Sequence, residues 1–410
     1  MKKYILGVLL VIICAVAMTA LSNISNKNKE KKVEAISTDE MVDKTVDNLY
    51  ELFLTGNKSA IFEENGDALK VEKLSSPSKD TSDINYAYSD IDLDGTDELH
   101  VKWKDVYYIL KEKKDQLVVW AELSVAYEPV EGGGLLYNTR NQGEENCYCV
   151  LSSDGKLIWE VCFLKNQGRY FCDNVEISGE QWNKMSESIR NMTRISWIKA
   201  DQTGVLEICE GEGQEIISEH NAEKAAERDR ALQLYDSFVS GNYVVRYDNG
   251  INEIKYDMSS FTDVTGEPEK HYATRVAIVD IDHDKIEELY IENPREHCVF
   301  RYSDGELIRS NISEQINRYS MLMNNGGYLL ECDQNNYGIR TYSIYGREGQ
   351  LLLGVDFSME CPADEIFVQA EESDITYTFM GTEVSKEQYD ALTKRYYDIG
   401  TDQITWKTIY

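Results

Sequence analysis

Histidine is scarce in this chain, with five in 410 residues: His100, His220, His271, His283 and His297. None belongs to an HExxH pair, and there is no GxSxG elbow, no P-loop and no CxxC pair. These gaps remove the usual signatures of zinc peptidases, serine hydrolases, P-loop nucleotidases and dithiol or zinc sites. Basic side chains are also few, 42 against 73 acidic, for a formal net charge of −31. Such a surface repels a nucleic-acid backbone and anionic lipid, and it suits solubility, cations or a basic partner. The glycine run "EGGGL" at 131 to 135 lacks the lysine and the helix start of a phosphate cradle, and reads as a turn. Acid pairs suited to glycoside cleavage can be found at almost any spacing among 73 carboxylates, so their presence carries no information.

An apolar fraction of 42% and 27 tyrosines are what a folded chain has, and 410 residues exceed what one core usually serves. The start, "MKKYILGVLLVIICAVAMTALS", places Lys2 and Lys3 before an uncharged apolar run from Ile5 to Leu21. This is the pattern of an export signal. Ala15-Val16-Ala17 offers a cleavage site, the run is long enough to remain as a membrane anchor, and Cys14 invites lipidation although Ile13 precedes it. All three fates place the bulk of the chain outside the cytoplasm. Residues 22–35 are polar and lysine-rich, a flexible stalk.

The remainder of the chain is organised by internal repetition. "LYELFLTGN" at 49 returns as "LYDSFVSGN" at 234, and "DIDLDGTDEL" at 90 returns as "DIDHDKIEEL" at 280. "GGLL" at 133, Gly155, "ISGEQW" at 177 and "ISW" at 195 have counterparts at 326, Gly349, 384 and 404, in the same order. The expected architecture is α+β: two tandem copies of a helix, antiparallel sheet, helix domain, at 36–200 and 222–410, joined by an acidic linker at 201–221. Each copy opens with a helix. The first is expected from a capping box at Ser37 and Glu40 through Val42, Val46, Leu49, Tyr50 and Phe53 to Gly56; the second carries Ala231, Leu234, Tyr235 and Phe238. Asp154-Gly155 and Asp304-Gly305 mark hairpins, and capping boxes Ser178/Gln181 and Ser385/Gln388 start a closing helix in each copy.

The densest chemistry lies in "SDIDLDGTDELHV", residues 89–101. Asp90, Asp92 and Asp94 stand at alternate positions, Gly95 allows a sharp turn, the Thr96 carbonyl can face inward, and Glu98 adds a further carboxylate. Calcium, a hard cation taking six to eight oxygens, suits such a loop as a structural cofactor. Val101 stands where an EF-hand needs glutamate, so the loop belongs between strands. The second loop keeps Asp280, Asp282, Asp284 and Glu288, but Lys285 replaces the glycine. A side chain there disfavours a left-handed backbone, and its ammonium can neutralise the loop, so the second site is expected to be weaker. His283, inside this loop, is expected to be solvated rather than a ligand.

The DxDxDGxxE pattern between strands resembles the calcium loops of FG-GAP and integrin-type repeats. The wider arrangement, an export signal with tandem "DIDxDGxxEL" copies and a terminal "SxEQY" helix, resembles uncharacterised exported or lipoprotein-like tandem-repeat proteins of Gram-positive anaerobes. That resemblance implies an extracytoplasmic location and brings no activity with it.

Export permits disulfides. If Asp154-Gly155 is a two-residue turn, Cys147 faces Cys162 within disulfide reach, while the second copy has Thr341 and Asp356 near the matching places. Other cysteines read as buried thiols, and the six tryptophans as core rather than sugar platforms. The functional expectation is a non-catalytic surface protein, calcium-stabilised, binding an unidentified protein or glycan at the cell surface. The alternative is an exported hydrolase of cell-wall or glycan material, which calls for a cleft with convergent carboxylates.

Overall fold

Tight primed turns build most of this molecule. The computed structural model describes residues 48–73, 84–139, 144–200, 204–248, 253–262, 274–293, 297–309, 319–334, 337–345, 351–361 and 371–409. The leader, the stalk and the Ser37/Glu40 capping box lie outside them. Two-residue hairpin loops begin at Lys104, Lys114, Gln167, Asp173, Asp304 and Met380, each with φ between 46° and 57°. Turns of this hand match the twist of the strands they join.

The chain is α+β and mostly strand. It opens with α1 (Leu49–Leu54), whose N-cap Asn48 accepts the amide of Tyr50 and which buries Tyr50 and Phe53. Strands β1 (Ala60–Phe62), β2 (Ala68–Lys73), β3 (Asn85–Ser89), β4 (Glu98–Trp103), β5 (Val106–Lys113) and β6 (Gln116–Ser124) come after it. Next are β7 (Tyr127–Pro129), β8 (Leu135–Thr139), β9 (Glu144–Leu151), β10 (Leu157–Asn166), β11 (Arg169–Cys172) and β12 (Val175–Ile177), a meander forming one sheet in sequence order. After α2 (Gly179–Met185) and α3 (Glu187–Arg190), β13 (Ile198–Lys199) returns to pair with β3, and β14 (Gly204–Cys209) pairs with β2. The first sheet thus runs β13-β3-β4-β5-β6-β1-β2-β14.

Helix α4 (Gln214–Val239) leads to the hairpin β15 (Val245–Asp248) and β16 (Glu253–Tyr256), then α5 (Ser259–Thr262). Strands β17 (Thr274–Val279), β18 (Glu288–Glu292), β19 (His297–Ser303) and β20 (Glu306–Arg309) come next, and β21 (Tyr319–Leu322), β22 (Tyr328–Gln334), β23 (Tyr337–Tyr345), β24 (Leu351–Glu360), β25 (Thr376–Phe379) and β26 (Thr382–Val384) form a second meander. After α6 (Lys386–Tyr397), β27 (Trp406–Ile409) returns to pair with β17, giving the order β20-β19-β18-β17-β27.

Three expectations change. The segment expected as linker carries β14 and the start of α4. Val205, Leu206 and Ile208 make a strand against β2, and Glu212 pairs with Lys70 at the surface. The helix expected from Ala231 accordingly begins at Gln214. The turn at Asp154-Gly155 holds three residues, because the Ser152 amide donates to the Lys156 carbonyl. A bulge between Leu157 and Trp159 restores the register, so Cys162 stands opposite Cys147 and a disulfide joins them, with Cα atoms 4.1 Å apart. Gly155 cannot be replaced there, since a Cβ would lie 1.7 Å from the Trp120 carbonyl oxygen.

At the matching rungs of β23 and β24, Thr341 faces Asp356 and donates a 2.6 Å hydrogen bond to it. Both closing helices start in capping boxes, at Ser178/Gln181 and Ser385/Gln388. The two glutamines also cross-link: Gln181 Nε2 donates to the Glu383 carbonyl and Gln388 Nε2 to the Glu176 carbonyl.

The described residues from Asn48 onward form one compact unit. Its largest core joins both meanders, packing Phe163, Trp182 and Met185 with Tyr342, Phe357 and Tyr396. All six tryptophans lie in or against a core cluster. No helix among the described residues is long and apolar enough to cross a membrane.

Candidate metal centre

Both acidic loops connect the two strands of a hairpin, β3 to β4 and β17 to β18, and they share one backbone design. Asp90 Oδ2 accepts the Gly95 amide at 2.8 Å, and Asp280 Oδ2 accepts the Lys285 amide at 3.1 Å. Asp94 accepts from Thr96 N, and Asp284 from Ile286 N. Glu98 Oε2 accepts from the buried Ile91 amide at 3.0 Å, and Glu288 Oε2 from Ile281 N at 2.7 Å. The left-handed residues also correspond: Leu93 and Gly95 at φ 58° and 91°, His283 and Lys285 at 61° and 74°. Lys285 therefore takes up the left-handed conformation expected of the glycine, at the steric cost a side chain carries there.

In the first loop, one oxygen from each of Asp90, Asp92, Asp94 and Glu98 falls within 4.8 Å of the others; in the second, Asp280, Asp282 and Glu288 do so. Both clusters can hold a metal ion. The donors are all hard carboxylate oxygens, which fits a hard cation. Asp92 Oδ1 and Asp280 Oδ1 are buried without a hydrogen-bond donor. Thr96 is exposed, and its amide donates to Asp94.

The mutual repulsion of the first loop is met by a side chain that no motif in the sequence singles out. Lys111 Nζ, on β5, stands 2.6 Å from Asp92 Oδ2, 2.7 Å from Asp94 Oδ2 and 3.1 Å from Glu98 Oε1. Hairpin register is the signal that could have found it. The two-residue turn at Lys104-Asp105 puts Leu99 opposite Leu110, and the same count carried one residue further points Lys111 at Glu98. Burial pushes Glu98 up to about 8, against the pull of Lys111 and with a further push from Asp92. Burial works against the Lys111 charge, but Glu98 and Asp92 outweigh it and hold the ammonium above its ordinary range. Among the described residues Lys285 plays no such part, because it is exposed, pairs with none of the second loop's carboxylates, and its charge acts on Glu63 instead.

Glycine turns brace each loop from the neighbouring sheet. Gly134 N donates to the Ile91 carbonyl at 2.8 Å. His283 is half-buried rather than fully solvated, and its Nε2 lies 3.0 Å from the Asn325 carbonyl on the matching turn. Deeper in each sheet the halves carry an exchanged pair. His100 meets Tyr107 at 2.6 Å across β4 and β5, whereas Tyr290 meets His297 across β18 and β19. Trp197 and Trp406 each lie edge-on to the tyrosine of the pair, at 5.6 Å.

The two loops also meet at one cavity of about 330 Å³, whose wall carries Asp92, Asp94 and Lys111 from one and Asp282 and Asp284 from the other. A connected path joins them. Lys111 Nζ lies 5.1 Å from the Trp120 ring centroid, Trp120 Nε1 donates to the Ser153 carbonyl, and Ser153 N donates to the Asp282 carbonyl at 3.1 Å. Glu63 and Lys113, paired at 2.7 Å, line the same space with His220, Glu223 and Lys224.

No family model, curated protein or solved structure matches the chain.

Proposed function

We propose that this is a non-catalytic extracytoplasmic protein built from two tandem copies of one domain, at 36–200 and 222–410, with calcium held by its acidic hairpin loops and an unidentified surface protein or glycan as partner. The duplication is supported by strand order. β13-β3-β4-β5-β6 and β27-β17-β18-β19-β20 run alike, with the acidic loop in the same hairpin and a six-stranded meander after it. The observation that carries the metal reading is the oxygen cage of Asp90, Asp92, Asp94 and Glu98, in which Asp92 Oδ1 is buried without a donor. Export rests on the Lys2/Lys3 and Ile5–Leu21 pattern alone.

The shared cavity is the observation that favours the second reading, an exported hydrolase, because carboxylates converge there from both halves. Their state argues for binding instead. Asp92, Asp94 and Glu63 are tied to lysines, and Glu98, the cage carboxyl that burial raises to about 8, is wholly buried where no substrate oxygen can reach it. Calcium titration of the purified protein by calorimetry tests the metal reading, with saturable uptake expected. Release of reducing ends or muropeptides from cell-wall material, lost in Glu63→Gln, is the outcome that would replace the binding reading with the hydrolase.

A further inference from the structure

Resting on the metal reading above, we infer that Lys111 is a built-in competitor for the first loop, a tethered ammonium that a divalent cation must expel before it can bind. The argument is geometric. Nζ already lies 2.6, 2.7 and 3.1 Å from oxygens of Asp92, Asp94 and Glu98. Calcium bonded to those same oxygens at about 2.3–2.6 Å would occupy nearly the same point, so the two cations exclude each other. The site is also built for an occupant. Glu98 is wholly inaccessible and its Oε2 is fixed by the Ile91 amide, so Oε1 stays aimed inward at the ammonium, and Asp92 Oδ1 beside it is buried with no hydrogen-bond donor.

Expulsion has somewhere to go. Lys111 lines the cavity that Asp282 and Asp284 also line, and its four-carbon stem lets the head swing while the backbone stays paired in β5. Filling the first loop therefore sends a positive charge into the space faced by the second. Lys111 also leaves the face of Trp120, whose indole is linked through Ser153 to the Asp282 carbonyl. The resident ammonium offsets part of the loop's negative charge when calcium is scarce and sets the concentration at which metal enters.

Two measurements on the full chain test this. Calcium is titrated into the wild type and into Lys111→Met, which keeps most of the stem and removes the charge; the variant is expected to bind calcium about tenfold more tightly or better. Separately, acylation of Lys111 by an amine-reactive ester, followed by mass spectrometry in the wild type, is expected to rise several-fold on adding calcium. Equal affinities in the two proteins, or unchanged Lys111 labelling in wild type with calcium bound, would overturn the competitor while leaving the metal reading standing. Uptake by neither protein would remove the metal reading itself. Uptake by Lys111→Met alone would overturn the expulsion and leave Lys111 as the permanent counterion of the wild-type loop. The labelling measurement needs no variant and decides the matter if Lys111→Met does not fold.

Discussion

Glu98 shows how much one side chain can carry in this fold. It closes the first loop by accepting the Ile91 amide and meets the Lys111 ammonium while wholly buried. Glu98→Ala strands both partners, and breaking a buried pair of this kind costs about 3–5 kcal/mol. Urea unfolding is expected to show that loss, whereas Asp97→Ala, an exposed neighbour, should move stability by less than about 0.5 kcal/mol. Cys149 is a second case. Burial pushes its thiol up to about 12, so iodoacetamide at pH 8 should leave it intact in the native protein while labelling the half-exposed Cys209. The carboxylate ligands are legible from sequence because their spacing is local. Lys111 is not, because its role depends on a strand pairing that brings β5 beside the loop. His283 escapes for a similar reason, since the carbonyl that fixes it lies on a turn 42 residues away.

At the scale of elements, hairpin register governs what can be foreseen. A two-residue turn would set Cys147 opposite Cys162, and the structure reaches the same rung with a three-residue turn and a bulge. The disulfide closes a sequence separation of 15, worth about 3 kcal/mol in the chain-entropy description. The Thr341–Asp356 hydrogen bond at the matching rung is worth only about 1 kcal/mol. Thr341→Cys with Asp356→Cys is therefore expected to close a second disulfide on oxidation, detected as a linked peptide pair, and to raise the melting temperature; failure to oxidise would mean that the two rungs do not correspond. Acidic, glycine-bearing sequence at 201–221 suggests a linker only because composition does not reveal that the edge of β2 waits to pair with residues 204–209 and offers Lys70 to Glu212.

Across the whole molecule, the sequence discloses the repetition of motifs but not how its halves meet. Their meanders share a core, and Gln181 and Gln388 reach reciprocally across it, so neither half buries its apolar face alone. Unfolding of residues 48–410 should accordingly be one transition, and Phe357→Ala, at a site with no exposure, should cost about 3–5 kcal/mol. Hydrogen exchange should then quicken in β9 and β10 as well as in the second meander. Quickening confined to 222–410 would mean that the halves fold independently.

The most direct measurement is the heat of calcium uptake by the purified full-length protein, read together with its melting temperature at the same calcium concentrations. An oxygen cage that prefers a hard cation to its own lysine requires saturable heat and a melting temperature that climbs with calcium as mass action dictates. A flat titration with an unmoved melting temperature would contradict it, and would leave Lys111 as the permanent counterion of the loop.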